Sequence, residues 1–176
     1  MITLQELNVL GRSEFVTLLG PIFEGSPWIA KRAWTIRPFS TTDDLHRSLC
    51  QCMYDANEEE KLSLIRAHPD LAGRAAREGA LTSESTEEQA GAGLDRLTQR
   101  EFAAFSRMNE EYRARFGFPF VICVGEHTKA SIFIQFAARL ENPREREIET
   151  ALAEICEIAR LRLRDLVENS AAGEHA

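Results

Sequence analysis

The chain has 176 residues, a length that fits one domain and suffices to bury an apolar core without disulfides or metals. Hydrophobic residues make up 44% of it and charged residues 28%, a globular balance that excludes a disordered or collagen-like chain. The net charge of −7 disfavours nucleic acid and anionic membranes as partners, and no apolar run approaches the roughly 18 residues that span a bilayer.

The N-terminus lacks the basic start and apolar stretch of a signal peptide. The chain has four cysteines, Cys50, Cys52, Cys123 and Cys156. They are too few and too scattered for a disulfide framework, so we expect them to be reduced thiols of a cytoplasmic protein. His46 and Cys50 lie four residues apart, which leaves a metal site as a minor alternative. A zinc site needs about four ligands and no second pair follows at ligand spacing, so we expect no metal.

Helical patterns follow one another along the first part of the chain. Asn57 and the three glutamates after it open one helix, which Pro69 ends at His68 because a residue before proline is pushed out of the helical region. Weaker helical patterns cover about Leu4–Leu19, Pro27–Thr35, Thr42–Ala56 and Thr128–Leu140.

Capping signals mark the helices of the second part. Thr98 and Glu101 form a capping box, apolar residues then recur every three or four positions to Phe116, and Gly117 supplies the stop. Asn142-Pro143 gives an N-cap and a first-turn proline for a helix to about Val167. We expect an ordered core over about residues 3–168 and a mobile tail over 169–176.

Two segments do not follow a helical pattern. Leu71–Ser83 contains two glycines and is typical of a loop or a loosely helical connector. Phe118–Val124 is a continuous apolar run, which we expect to be extended and buried, although a lone strand has nothing obvious to pair with. The sequence therefore predicts an all-α, single-domain multi-helix bundle over residues 1–176 with one short extended apolar segment.

Ser85-Thr86-Glu87-Glu88 has the spacing of a second capping box, and Gln89 follows it. The spacing favours a capping role for Glu88 at a helix start. A helix start also presents free N–H groups and a hydroxyl, so an anion-binding role stays open.

Arg162 lies on the apolar face of the last predicted helix. At 100° per residue, that face is formed by Ile148, Leu152, Ile155, Ala159, Leu163 and Leu166. An arginine aimed at a core cannot shed its charge, so it needs a carboxylate or an anionic ligand. General grounds favour an internal salt bridge or an edge residue, and a small-anion site is the alternative.

His68 stands at a helix end that an X-Pro bond makes rigid. A helix C-terminus favours the imidazolium form, which suits a proton donor near neutrality. The alternative, favoured on general grounds, is a surface histidine that caps backbone carbonyls.

With these residues in view, five blocks in order resemble the OHCU decarboxylase family, which acts on 2-oxo-4-hydroxy-4-carboxy-5-ureidoimidazoline in urate breakdown. The similarity runs from about Leu7 to Val167, and five ordered blocks are far more specific than any one of them. The blocks are His68–Arg74, Leu81–Leu94, Phe116–Val124, Arg139–Asn142 and Leu161–Leu163.

The resemblance implies an all-helical enzyme, usually a homodimer, that forms (S)-allantoin with no metal or organic cofactor. It implies that His68 is catalytic and that Glu88 is its partner carboxylate. It also implies a set of positions that line the site of a small anionic substrate: Pro69, Ser85, Gln89, Phe120, Val121, Ile122, Cys123, Val124 and Arg162. The C-terminus lacks the peroxisomal address of some eukaryotic members, so we expect a cytoplasmic, bacterial enzyme.

Two other functions stay open at this point. A non-catalytic helical module that binds partner proteins would explain the amphipathic helices and the acidic charge. A different small-anion lyase on the same scaffold would keep the anion site and change the substrate.

Overall fold

The computed structural model describes residues 1–72, 82–91 and 93–168 of the chain. The described residues fall into two compact units, one formed by residues 1–64 and 156–168 and the other by the described part of residues 65–155. Within the described ranges, no helix combines the length and the apolar character needed to cross a membrane. The single domain stays a prediction, and the expected mobile tail and most of the expected 71–83 connector lie outside the described residues.

The first unit contains short helices that begin at polar caps. The single helix expected over about 4–19 is two helices, because Leu10 leaves the helical region and Gly11 starts a new N-cap. The Gly11 N–H donates to the Glu14 carboxylate at 3.1 Å, which fixes that new start. The helices of this part are α1 (Leu4–Val9), α2 (Arg12–Leu19), α3 (Trp28–Ala33), α4 (Thr42–Tyr54) and the start of α5 (Glu58–Ala67), with 3-10 turns at Gly20–Ile22 and Trp34–Ile36.

A small parallel sheet closes the first unit, and the sequence pattern gave no sign of it. Strand β1 (Ile2–Thr3) pairs with strand β2 (Val167–Glu168), which directly follows the long helix of residues 144–166. Val167 therefore leaves that helix, which ends one residue earlier than expected. Strands of two residues are too short to show an alternating pattern. Apart from this ladder the described regular structure is helical, which confirms the all-α prediction.

The second unit holds the end of α5 and the helices α6 (Ser83–Gly91), α7 (Gln99–Phe116) and α8 (Lys129–Leu140), with most of α9 (Arg144–Leu166). The capping box of α7 is confirmed: the Thr98 hydroxyl accepts from the Glu101 N–H, and the Glu101 carboxylate accepts from the Thr98 N–H. Gly117 ends the helix at a φ of +79°, a left-handed conformation that glycine adopts without strain.

The apolar run of residues 118–124, hereafter the buried segment, lies in the core of the second unit. Residues 119–123 have no regular structure, and a 3-10 turn follows at Val124–Glu126. The Phe120 ring stacks on Phe136, and the Tyr112 ring meets both rings edge-on. The expected burial of this segment is confirmed.

Candidate functional site

His68 lies on the turn that follows α5, and it is buried. Its N–H donates to the Ile65 carbonyl at 3.2 Å, which closes the helix, and the residue is only 7% exposed. The alternative of a surface histidine is therefore wrong. Asp70, two residues on, accepts a hydrogen bond at 2.8 Å from Arg113 on α7.

Helix α6 starts earlier than the sequence suggested, and this changes the interpretation of Ser85 and Glu88. The Thr82 hydroxyl accepts from the Ser85 N–H at 3.2 Å, so Thr82 is the cap and Ser85 lies inside the helix. The capping role expected for Glu88 at a Ser85 start is wrong, because the threonine three residues earlier takes that place. Ser85 and Gln89, four residues apart, are both buried on one face, and Glu88 is half-buried beside them.

One peptide group after His68 is held from both sides by side-chain amides. The Gln89 Oε1 accepts from the Ala72 N–H at 2.9 Å, and the Asn109 Nδ2 donates to the Leu71 carbonyl at 2.8 Å. This bond uses the oxygen of the Gln89 amide, whose nitrogen Nε2 is a donor. The turn of His68 and the buried face of α6 are thus joined by a hydrogen bond.

Side chains, and not a neighbouring strand, form hydrogen bonds with the backbone of the buried segment. Arg139 Nη1 donates to the Val121 carbonyl, and the Cys123 N–H donates to Glu154 Oε2, both at 2.8 Å. Buried backbone groups need hydrogen-bond partners, and these two side chains supply them to the buried segment, which has no strand beside it in the described residues. Helix α6 packs against the 3-10 turn at Val124–Glu126. The His68 turn, α6 and this segment therefore meet within one unit.

A buried ion pair stabilises this arrangement. Arg139 Nε donates to Glu147 Oε2 at 2.9 Å, and the guanidinium lies 4.3 Å from the centroid of the Phe120 ring. The Tyr112 hydroxyl also donates to Glu147. Burial raises the pKa of Tyr112 above its ordinary value of 10, with Glu147 adding to the shift and Arg139 opposing it, so the hydroxyl stays a donor.

Three of these side chains had no role predicted from the sequence: Asn109, Arg139 and Glu147. A signal existed for Asn109, since it stands within the apolar face of α7 between Phe105 and Tyr112. It is the same kind of signal that singled out Arg162. Arg139 lies inside one of the motif blocks, but its partners lie 8 and 18 residues away, and no spacing rule connects them.

Arg162 belongs to the first unit, and its expected place on a buried face is confirmed by an exposure of 8%. Its Nη1 donates to Glu24 Oε2 at 3.2 Å and to the carbonyls of Pro21 at 3.1 Å and Ile22 at 3.4 Å. The internal salt bridge that general grounds favoured is therefore present. A role in binding an anionic ligand stays a prediction.

The cysteines are free thiols, and three of the four are buried. In the first unit the His46 Nε2 lies 2.8 Å from the Cys156 carbonyl oxygen and 3.3 Å from Cys50 Sγ, so the imidazole is used in packing and hydrogen bonding. Within residues 1–72, 82–91 and 93–168, no group of three or more potential ligand side chains is placed to hold a metal ion.

A family model described as OHCU decarboxylase matches residues 8–164. A 2-oxo-4-hydroxy-4-carboxy-5-ureidoimidazoline decarboxylase of Halalkalicoccus jeotgali is 41% identical over 165 residues, 94% of this chain and 92% of that protein. A uric acid degradation bifunctional protein of Bacillus subtilis is 42% identical over 95% of this chain, which spans 33% of that protein. A crystal structure of an (S)-allantoin synthase matches with a TM-score of 0.79 and 26% identity, over 98% of this chain and 56% of that one. The chain belongs to the OHCU decarboxylase family.

Proposed function

We propose that this chain decarboxylates 2-oxo-4-hydroxy-4-carboxy-5-ureidoimidazoline to (S)-allantoin in urate degradation, with His68 and Glu88 as its acid/base pair. Family membership and the activities named for the relatives support the reaction. The observation that carries the placement of the site is the hydrogen bond from the Ala72 N–H, on the turn of buried His68, to Gln89 on α6. The resemblance assigns His68 and Gln89 to one site.

The reaction needs a place for one electron pair and three proton movements. When the bond from the ring carbon to the carboxylate breaks, CO2 leaves and the electron pair of that bond forms the carbon–carbon double bond of an enol, while the imine pair moves onto the ring nitrogen, which takes up a proton; the substrate is therefore its own electron sink. The resulting enol loses its hydroxyl proton, and a proton adds to the carbon that bears the ureido group. Proton transfers of this kind are the work of a positioned acid/base pair. Delivery to one face gives a single enantiomer of allantoin.

His68 and Glu88 are suited to these proton transfers by their setting. Water is largely excluded from the imidazole, which is 7% exposed on a turn that proline makes rigid, and Glu88 stands half-buried on α6 next to Gln89. In a water-poor site, hydrogen bonds to developing charge are stronger than in bulk solvent. We assign the 4-hydroxyl proton and the proton delivered to carbon to this pair.

The remaining side chains bind and orient the substrate. Gln89 presents its Nε2 to a carbonyl oxygen of the ring or ureido group, and its Oε1 accepts from the Ala72 N–H. Ser85 and the backbone of the buried segment read the other polar edges, and Pro69 lines the site. Arg162 makes charge-assisted contacts to the anionic part of the substrate. The support for Arg162 is its buried guanidinium together with the resemblance.

The resemblance also supports a homodimer in the cytoplasm that acts without a metal or an organic cofactor. Its partner is then a small anionic substrate and a second copy of the chain. Sedimentation analysis of the purified protein at micromolar concentration tests the dimer, and a monomer at all concentrations would contradict it.

The experiment generates the unstable substrate in place from urate with the two upstream enzymes and follows the circular dichroism of the product. Wild-type protein is expected to give optically active allantoin faster than the spontaneous, racemic reaction. His68→Ala and Glu88→Ala are each expected to cut turnover by about 10²–10⁴, the usual contribution of a positioned acid or base.

Glu87→Ala is the matched control, since Glu87 is an exposed carboxylate one position before Glu88. It is expected to keep wild-type turnover. Near-normal turnover in His68→Ala or Glu88→Ala would contradict the assigned roles. No acceleration by the wild-type protein would contradict the decarboxylase and favour a different lyase or a non-catalytic helical module.

A further inference from the structure

We propose that Asn109 is a positioning residue that holds His68 in place through the Leu71–Ala72 peptide group. The inference rests on the proposed catalytic role of His68. It concerns a side chain that neither the motifs nor the resemblance singled out, and it follows from the contacts made by α7.

Asn109 is a polar residue in an apolar face. It is 4% exposed, and Phe105 and Tyr112, on the same face of α7, are fully buried. Its Nδ2 donates to the Leu71 carbonyl at 2.8 Å, whereas its Oδ1 is buried without a hydrogen-bond partner among the described residues. A buried acceptor without a partner is unfavourable. The benefit of an amide at this position is therefore the hydrogen bond that it gives to the turn.

Together with the bond from Ala72 to Gln89, that bond holds one planar peptide group on both sides, an arrangement that we call the clamp. The Leu71 carbonyl and the Ala72 N–H belong to the same planar peptide group, and Gln89 accepts from its N–H at 2.9 Å while Asn109 donates to its oxygen. Helices α6 and α7 thus hold the group from its two ends. Rotation of the plane would break at least one of the two bonds.

The clamp lies where the backbone needs support. Ala72 has a φ of +50°, in the left-handed region that residues other than glycine rarely adopt, and surrounding contacts must maintain such a conformation. The peptide group is only three residues from His68, and Pro69 between them has a fixed φ. Displacement of the clamped plane is therefore transmitted to the backbone that bears the imidazole.

Arg113, one helical turn after Asn109 on α7, also contacts the backbone turn that follows His68. Arg113 Nε donates to Asp70 Oδ1 at 2.8 Å, but both side chains of this pair are about one-third to one-half exposed. An exposed pair of this kind contributes little. Asn109 is the buried member of the two, and its loss is expected to matter more.

The test compares Asn109→Leu with Phe105→Leu. The first removes the donor and keeps the number and branching of the side-chain heavy atoms, and the second alters the same buried face one turn away without touching the clamp. Both variants are expected to lose stability. Only Asn109→Leu is expected to lose kcat, by about 10- to 100-fold with a smaller change in KM, because a displacement near 1 Å costs on the order of 10²-fold.

A spectroscopic readout separates positioning from a general loss of stability. The chain has 4 histidines, so their ring signals form a small set in an NMR spectrum of ¹⁵N-histidine-labelled protein, and His68→Gln assigns one of them. In Asn109→Leu the His68 signals are expected to shift or broaden while those of His46 and His127 stay in place. In Phe105→Leu all are expected to stay.

Each outcome is decisive for one proposal. Full turnover in His68→Ala overturns the catalytic role proposed for His68, on which this inference rests. If His68→Ala is inactive but Asn109→Leu keeps wild-type kcat and His68 signals, the positioning role alone is overturned, as it is by an equal loss of kcat in Phe105→Leu. If Asn109→Leu does not fold, Asn109→Ala leaves room for a water at the Leu71 carbonyl. A smaller loss of kcat with shifted His68 signals then supports the inference, and unchanged values overturn it.

Discussion

Each unit of the molecule contains a buried arginine, and the two are held in different ways. Arg139 in the second unit directs Nε and Nη1 to separate partners, Glu147 at 2.9 Å and the Val121 carbonyl at 2.8 Å, and lies over the Phe120 ring. Arg162 in the first unit directs Nη1 to three acceptors at 3.1–3.4 Å. A buried arginine in an apolar face is therefore an ambiguous signal, since the same residue type fixes a backbone in one unit and is proposed to bind a ligand in the other.

The largest expected effect is a loss of stability from a substitution in the second unit. Arg139→Met is expected to lower the free energy of unfolding by about 3–5 kcal/mol, because Glu147 stays buried without its cation and the Val121 carbonyl loses its donor. Urea unfolding followed by circular dichroism measures the change. Arg139→Met with Glu147→Leu removes both charges and is expected to recover part of the loss. A single variant as stable as the wild-type protein would contradict the structural role.

For Arg162 in the first unit, the expected change is in catalysis and not in stability. Arg162→Lys keeps a positive charge beside Glu24, so its stability is expected to change little, but a lysine cannot reproduce the planar fork of a guanidinium. The expected result is a loss of kcat/KM of about 10- to 100-fold, which corresponds to roughly 1.5–3 kcal/mol for a hydrogen bond to a charged group.

Arg139→Lys is the matched control for that substitution, measured with the same two assays. It is expected to lose stability more than Arg162→Lys and kcat/KM less. If Arg162→Lys keeps kcat/KM and loses stability instead, both arginines are structural and the comparison between the units fails.

Local signals accounted for much of the fold, because a helix boundary is decided by a few neighbouring residues. Asn57 illustrates this: the sequence predicted a helix start there, the helix begins at Glu58, and the Asn57 Oδ1 accepts from the Glu60 N–H at 2.9 Å. Thr82 and Ser85 show the limit, since the spacing of residues favoured a helix start at Ser85, whereas the structure uses the Thr82 hydroxyl three residues earlier. The sequence also predicted that residues 118–124 are buried, but not that Arg139 and Glu154 hold them.

The sequence can single out a side chain that violates a local pattern, as Arg162 does in the last helix and Asn109 does in α7. It cannot predict the partner of that side chain where the two residues are distant in sequence. Asn109 and Leu71 are 38 residues apart, and Tyr112 and Glu147 are 35 apart. Each of these pairs is brought together by packing of whole helices, which the spacing of residues along the chain does not encode.

The smallest expected effect concerns a partly exposed ion pair, in which a charge contributes less than in a fully buried pair. Lys129 Nζ lies 2.9 Å from Glu101 Oε1. The Thr98 N–H, with Lys129 and the Thr98 hydroxyl, lowers the pKa of Glu101 from 4.5 to about 2. Because the pKa is lower in the folded state, the ionised carboxylate stabilises the fold above about pH 4.5, and this contribution is lost as the pH falls towards 2.

Glu101→Gln is therefore expected to unfold at lower urea concentration than the wild-type protein at pH 7, by a small margin, and the margin is expected to shrink steadily below pH 4.5. Glu110→Gln is the control, because Glu110 is an exposed carboxylate on the same helix. Its margin is expected to be smaller at pH 7 and to change less as the pH falls. A Glu101→Gln margin that is the same at pH 7 and pH 3 would show that the carboxylate acts by its shape in the capping box and not by its charge.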